Sequence, residues 1–253
     1  MLRREAAYFF AAIRFFTRLP VPARVGHSAA MLDAAARYFP AVGLLVGALA
    51  ALVYLAALPL WPPAVAALLS MAATIYLTGA FHEDGLADTA DGLGGGWDKT
   101  RILEIMQDSR LGSFGAVALW LGLTGKFVLL CAIAPPLAPL AMLAAHAVSR
   151  YAATLLLASM NYVRDDSNSK AKPLATRLSA GGLAVATAFA VLGLLPLPWP
   201  EALMGCLLAA LATLWLAAKF RRWLGGYTGD CLGATQQVAE IAFYLGVLAA
   251  WPV

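Results

Sequence analysis

Residues 38–81 contain no charged side chain. A helix needs about 20 apolar residues to cross a bilayer. This run therefore holds two crossings, with Leu58-Pro59-Leu60-Trp61-Pro62-Pro63 as the turn between them. Further apolar runs at 111–133, 137–160, 180–196, 201–218 and 232–251 bring the expected total to about seven. The turns fall at Pro135-Pro136 and at Pro196-Leu197-Pro198-Trp199-Pro200. Only 13% of residues are charged and mean hydropathy is +0.76, against about 25% charged in a soluble domain. The expected fold is an all-α, polytopic membrane helix bundle: one integral membrane domain over 1–253, with the lipid bilayer as its solvent.

Charge placement orients that bundle. The segments near 58–63, 134–137 and 196–201 and the C-terminal tail carry no Lys or Arg. All of the 18 basic residues except Lys126 and Arg150 fall in the N-terminal segment or in the alternate loops. The excess of Lys and Arg on one side predicts N-in, C-out. The same spread, with no basic stripe, excludes nucleic acid as a partner despite a pI near 9.1. The three cysteines, Cys131, Cys206 and Cys231, are scattered and suit apolar filling in helices. In the N-terminal region 1–37, Phe9, Ile13 and Phe16 share one helical side and Arg3, Arg14 and Arg18 the other. That pattern fits a helix lying in the membrane interface or one packed at the bundle's cytoplasmic edge.

Half of the 14 acidic residues lie between Glu83 and Asp108. On a helix Asp84, Asp88 and Asp91 are i, i+4 and i+7 and share one face. Bare carboxylates at that spacing repel, and a divalent cation removes the conflict. Hard oxygen donors suit Mg2+, or Mn2+ in its place. Glu104 and Asp108 repeat the i, i+4 spacing, so two helices are expected to face each other across a metal site. Gly92-Leu93-Gly94-Gly95-Gly96 reads as a flexible break between them, and Asp98 as the N-cap of the second. The segment 82–110 is the expected catalytic segment, on the cytoplasmic face.

Lys126, His146, Arg150, Gln236 and Glu240 interrupt apolar spans. A charge at the bilayer centre costs at least ~2.5–3.5 kcal/mol, so such residues usually line a functional cavity. Arg150 and Glu240 lie at similar depth and are expected to pair. A cationic pocket beneath an acidic, metal-binding face suits a phosphate-bearing substrate.

Phe81-His82-x-Asp84-Gly85-Leu86-Ala87-Asp88-Thr89-x-Asp91-Gly92, followed by Leu103-Glu104-Ile105-Met106-x-Asp108-Ser109-Arg110-Leu111-Gly112, resembles the cobalamin synthase family. Thr17-Arg18-Leu19-Pro20-Val21-Pro22, Phe39-Pro40-x-Val42-Gly43, Ser149-Arg150 and Gly226-x-Thr228-Gly229-Asp230-x-Leu232-Gly233-Ala234 extend the resemblance along the chain. One departure is Arg164-Asp165-Asp166-Ser167, where the family more often has Arg followed by Glu-Glu-Gly.

The resemblance implies an Mg2+-dependent phosphotransferase, an adenosylcobinamide-GDP ribazoletransferase of the bacterial inner membrane with its site facing the cytoplasm. It would join adenosylcobinamide-GDP to α-ribazole or α-ribazole 5′-phosphate and release GMP. It is compatible with a homo-oligomer or a complex with other nucleotide-loop enzymes. Asp84, Asp88, Asp91 and Asp108 are the expected metal ligands, and Asp108, Glu104 and His82 the acid–base candidates. Lys126, Arg150, Arg110, Arg221, Gly229 and Asp230 are the expected substrate contacts. The competing class is a cation permease, but the outward half of nearly every span lacks the polar groups a pathway needs. A scaffold for neighbouring enzymes needs no acidic triplet.

Overall fold

The computed structural model describes residues 2–23, 25–26, 28–164 and 178–250. The polar loop 161–179, with Lys170, Lys172 and Arg177, lies mostly outside the described residues. Within them every regular element is helical, as a bilayer demands, because each N–H and C=O must bond inside its own segment there. The helices are α1 (Leu2–Phe16), α2 (Ala29–Ala35), α3 (Phe39–Ala57), α4 (Pro63–Thr78), α5 (Phe81–Gly95), α6 (Lys99–Gln107), α7 (Ser113–Ala132), α8 (Ala138–Ser159), α9 (Ala180–Leu194), α10 (Trp199–Leu224) and α11 (Gly229–Ala250).

A helix stands at each of the seven expected spans. Among the described residues five helical stretches are long and apolar enough to cross a membrane, and six are if α4 and α5 count as one bent crossing. The apolar α9 has only 15 residues. The α4–α5 bend is 86°. Gly79 and Ala80 make it, both with positive φ, 67° and 57°, a conformation easy for glycine and strained for alanine. The chain therefore turns sharply before the acidic segment, which does not continue α4.

Small residues let the helices close on each other. A Cβ on Gly47 of α3 would lie 2.9 Å from the Leu143 Cα of α8, and one on Gly246 of α11 would lie 2.6 Å from the Gly205 Cα of α10. Helix α8 packs against α3, α9, α10 and α11 and forms the centre of the bundle. Helix α1 is packed, not merely laid on a surface. Its Ala12 and Phe16 are buried, Phe16 meets Phe39 and Phe81 edge-on, and the Arg14 Nη1 donates to the Val25 carbonyl at 2.7 Å.

The expected break at 92–96 falls at its far end. Helix α5 runs through to Gly95 and only Gly96 is extended. The glycines also serve contact: a Cβ on Gly92 would stand 2.6 Å from the Met106 Cγ and one on Gly96 2.9 Å from the Ile102 Cα. Without side chains there, α6 folds back onto α5. Asp98 caps α6 as expected, its carboxylate accepting from the Arg101 N–H at 3.0 Å.

Candidate active site

The acidic helix α5 is fixed at its start by α11. A Cβ on Gly85 would sit 2.9 Å from the Asp230 carbonyl oxygen and 3.2 Å from the Gly233 Cα, so the two backbones touch. This contact sets Asp84 and Asp88, on either side of Gly85, beside Asp230. Asp84 is exposed and Asp88 half-buried. Partial burial, then the charges of Asp230 and Asp84, push the Asp88 carboxyl up from 3.8 to about 7, with Arg164 opposing. Asp230 accepts from the Arg164 Nη2 at 2.9 Å and lies 3.4 Å from the Thr228 hydroxyl. Arg164 was not singled out as a site residue. Its position straight after the Tyr162–Tyr227 bridge brings it to Asp230, and nothing in its local sequence reveals that.

Asp91 does different work from its two helical neighbours. It is buried, and its oxygens accept from the backbone N–H groups of Gly112 and Gly115, each at 2.8 Å. It thereby satisfies two of the donors left free at the start of α7. Glu104 and Asp108 do not join Asp84 and Asp88 either. Glu104 meets Arg101 at 3.0 Å. Asp108 is gripped by the Arg110 side chain and N–H, which hold its carboxyl down at about 2. With Asp91 and Gly112 these residues line an open groove of about 590 Å3.

Among the described residues no three His, Cys, Asp or Glu side chains converge as a ready metal cage. The fit to a divalent cation rests on donor type and charge. At the α5–α11 crossing, beyond burial, the charges of Asp230 and Asp84 both raise Asp88 and that of Asp84 raises Asp230, with Arg164 as a cation that acts on both Asp88 and Asp230.

Beneath the crossing lies a buried polar network. Lys126 Nζ stands 3.1 Å from Glu240 and donates to the Gln237 side chain at 3.0 Å. Gln237 donates to Glu83 at 3.0 Å and to Gln236 at 2.9 Å. Gln236 donates to Glu240 at 2.6 Å and to Ser149 at 3.0 Å. The expected Arg150–Glu240 pair is replaced: Glu240 is met by Lys126 and by His146 at 3.6 Å, while Arg150 turns back to the His146 carbonyl at 3.1 Å. The i, i+4 spacing of His146 and Arg150 makes that local bond the shorter reach. Glu83 and Gln237 were not foreseen as members; a glutamate beside the acidic triplet and a glutamine in an apolar span were the available signs.

His82 is buried and stacked on Phe16 at 5.4 Å. With Arg150 it borders an enclosed space of about 20 Å3 walled by Phe15, Phe16, Phe39 and Phe81, room for about one water. The His82 Nε2 and Arg150 Nε have no hydrogen-bond partner among the described residues. Arg221 is exposed at the end of α10, and Gly229 opens α11.

Fold and site together define a polytopic helical membrane protein with an acidic centre at one crossing of its bundle. Residues 8–248 match the model of the family described as cobalamin-5-phosphate synthase. The adenosylcobinamide-GDP ribazoletransferase of Polaromonas sp. (strain JS666 / ATCC BAA-500) is 49% identical, covering 94% of this chain and 95% of that protein. The protein of the same name from Shewanella woodyi is 47% identical over 98% of both chains. The one from Vibrio cholerae O395 is 45% identical over 98% of this chain and 96% of its own. No solved structure matches. The chain belongs to the cobalamin-5-phosphate synthase family.

Proposed function

We propose that the chain transfers the adenosylcobinamide phosphate moiety of adenosylcobinamide-GDP to α-ribazole or its 5′-phosphate, giving adenosylcobalamin or its 5′-phosphate and GMP. Family membership and the names of its relatives support the reaction. The observation that carries the site is the backbone contact of Gly85 with Asp230 and Gly233, which brings Asp84, Asp88 and Asp230 within each other's electrostatic reach.

A ribose hydroxyl attacks the phosphorus nearer cobinamide. The new P–O bond forms, the bond to the GMP oxygen breaks, and the hydroxyl proton passes to a carboxylate. Such transfers need mainly positioning and charge neutralisation. Asp84, Asp88 and Asp230 are the residues to hold Mg2+, or Mn2+, which when bound neutralises the diphosphate as a Lewis acid. Asp91 keeps α7 in place through its two amide bonds. Arg164 is within reach of the same carboxylates and supplies cationic charge for a phosphate. The backbone N–H groups at the start of α11 favour an anion there. Glu104, exposed in the open groove, is the proposed acceptor of the hydroxyl proton; Asp108, held down at about 2 by Arg110, is the weaker base, and His82 is walled in by aromatic rings. Lys126 and Arg150 serve the buried network that carries α5, through Gln237 and Glu83.

The Lys and Arg distribution supports seven crossings, N-in and C-out, with the acidic centre at the cytoplasmic face of a bacterial inner membrane. The short α4 and α9 then cross with their ends snorkelled or the bilayer thinned. Purified protein in lipid vesicles, given both substrates and Mg2+ without any ion gradient, is expected to form corrinoid product and GMP. Cation flux across the vesicles with no GMP release would overturn the assignment in favour of a permease.

A further inference from the structure

Helices α9 and α10 follow each other directly through the short link 195–198, yet they do not pack along one another; each packs on α8. They splay into a cleft of about 400 Å3 with α8 as its floor. On α10 the cleft runs from Cys206 to Arg221, about 22 Å at the helical rise of 1.5 Å per residue. One leaflet of a bilayer's hydrocarbon core is about 15 Å deep, so the cleft is long enough for an acyl chain.

The walls ask for hydrocarbon. The Tyr151 hydroxyl is bonded to the Thr187 hydroxyl at 2.8 Å, and the Thr187 hydroxyl donates to the Leu183 carbonyl at 2.9 Å. Thr213 donates to the Ala209 carbonyl at 2.7 Å and Ser159 to the Leu155 carbonyl at 2.7 Å. Each lining hydroxyl thus spends its hydrogen within the protein, so below Arg221 the walls offer no free donor to a sugar or nucleotide. A helix is also the wrong occupant: at ~10–12 Å across with its side chains, it displaces several times the cleft's volume.

The mouth asks for an anion. At that end of α10, Lys219 lies over the Trp215 ring and Arg222 over Trp223, the aromatic–basic mixture of a headgroup layer. Arg221 lines the cleft itself and forms no ion pair among the described residues.

We propose that this cleft binds one anionic phospholipid, an acyl chain between α9 and α10 and the headgroup phosphate on Arg221. The test is native mass spectrometry of the whole protein released from vesicles of equal phosphatidylglycerol and phosphatidylethanolamine. The parent is expected to retain phosphatidylglycerol preferentially. Ala190→Phe on α9 and Ala209→Phe on α10, which fill the cleft from its two walls, are expected to lose it. The exposed Arg221→Gln, which leaves packing untouched, is expected to keep a lipid but lose about fivefold of the preference for the anionic headgroup, as expected for one basic residue at a membrane surface. A parent that retains no lipid, filled variants that retain it equally, or an unchanged preference in Arg221→Gln overturns the proposal.

Discussion

Glu240 is 1% exposed inside an apolar helix, so its replacement by alanine should be expensive. The carboxylate is met by Lys126 at 3.1 Å, by Gln236 at 2.6 Å and by the Tyr244 hydroxyl at 3.4 Å. Hydrogen bonds inside membrane proteins average ~0.6 kcal/mol each, so these three contacts amount to ~2 kcal/mol. The larger part is the Lys126 ammonium left facing one glutamine, ~2.5–3.5 kcal/mol on insertion scales. Their sum, ~4–5 kcal/mol, agrees with the 3–5 kcal/mol typical of breaking a buried ion pair from one side. The assay is reversible unfolding in mixed micelles, run as a cycle with Lys126→Met and the double variant. The double variant should recover most of the loss, because neither charge is then orphaned. If Glu240→Ala unfolds within ~0.5 kcal/mol of the parent, or the two changes simply add, the network is not held by this pair.

Three further outcomes follow from the site. Asp88 carries its proton between its ordinary 3.8 and about 7 in the metal-free protein, so metal-free stability should decline as pH rises across that window, while Mg2+ affinity, which needs the bare carboxylate, should fall about tenfold per pH unit below 7 in titration calorimetry. Asp91→Asn should destabilise by ~1–3 kcal/mol, since an amide NH2 must face a backbone N–H at Gly112 or Gly115, whereas the exposed Asp84→Asn should shift the melting curve hardly at all. Gly85→Val should push α5 off α11, costing ~1–3 kcal/mol by overpacking and lowering GMP release.

Much of this architecture is legible in residue order because a bilayer imposes so few solutions. The charge-free stretch 38–81 becomes α3 and α4 with its break at Pro62-Pro63, and Asp98 caps where its type and place indicate. The site was legible in its membership but not in its grouping. Helical spacing puts Asp84, Asp88 and Asp91 on one face, yet Asp91 is taken by the amides of α7, and Asp230 arrives from more than a hundred residues away. Spacing along one helix is silent about the neighbour. The glycines 92–96 mark the break between α5 and α6 as read, but glycine marks close contacts as well, and the packing of Met106 and Ile102 against Gly92 and Gly96 is set by the neighbouring helix and not by the local sequence. Depth alone likewise pointed Arg150 at Glu240, while the nearer carbonyl of His146 takes it.

The central claim is that carboxylates of α5 and α11 gather one divalent cation at their crossing. Its most direct test is electron paramagnetic resonance of Mn2+ added to the purified protein in lipid. The account predicts a bound Mn2+ signal that Mg2+ displaces, lost in both Asp84→Asn and Asp88→Asn and retained in Asp108→Asn. Mn2+ that stays free in the parent, or binds equally after both changes on α5, contradicts it.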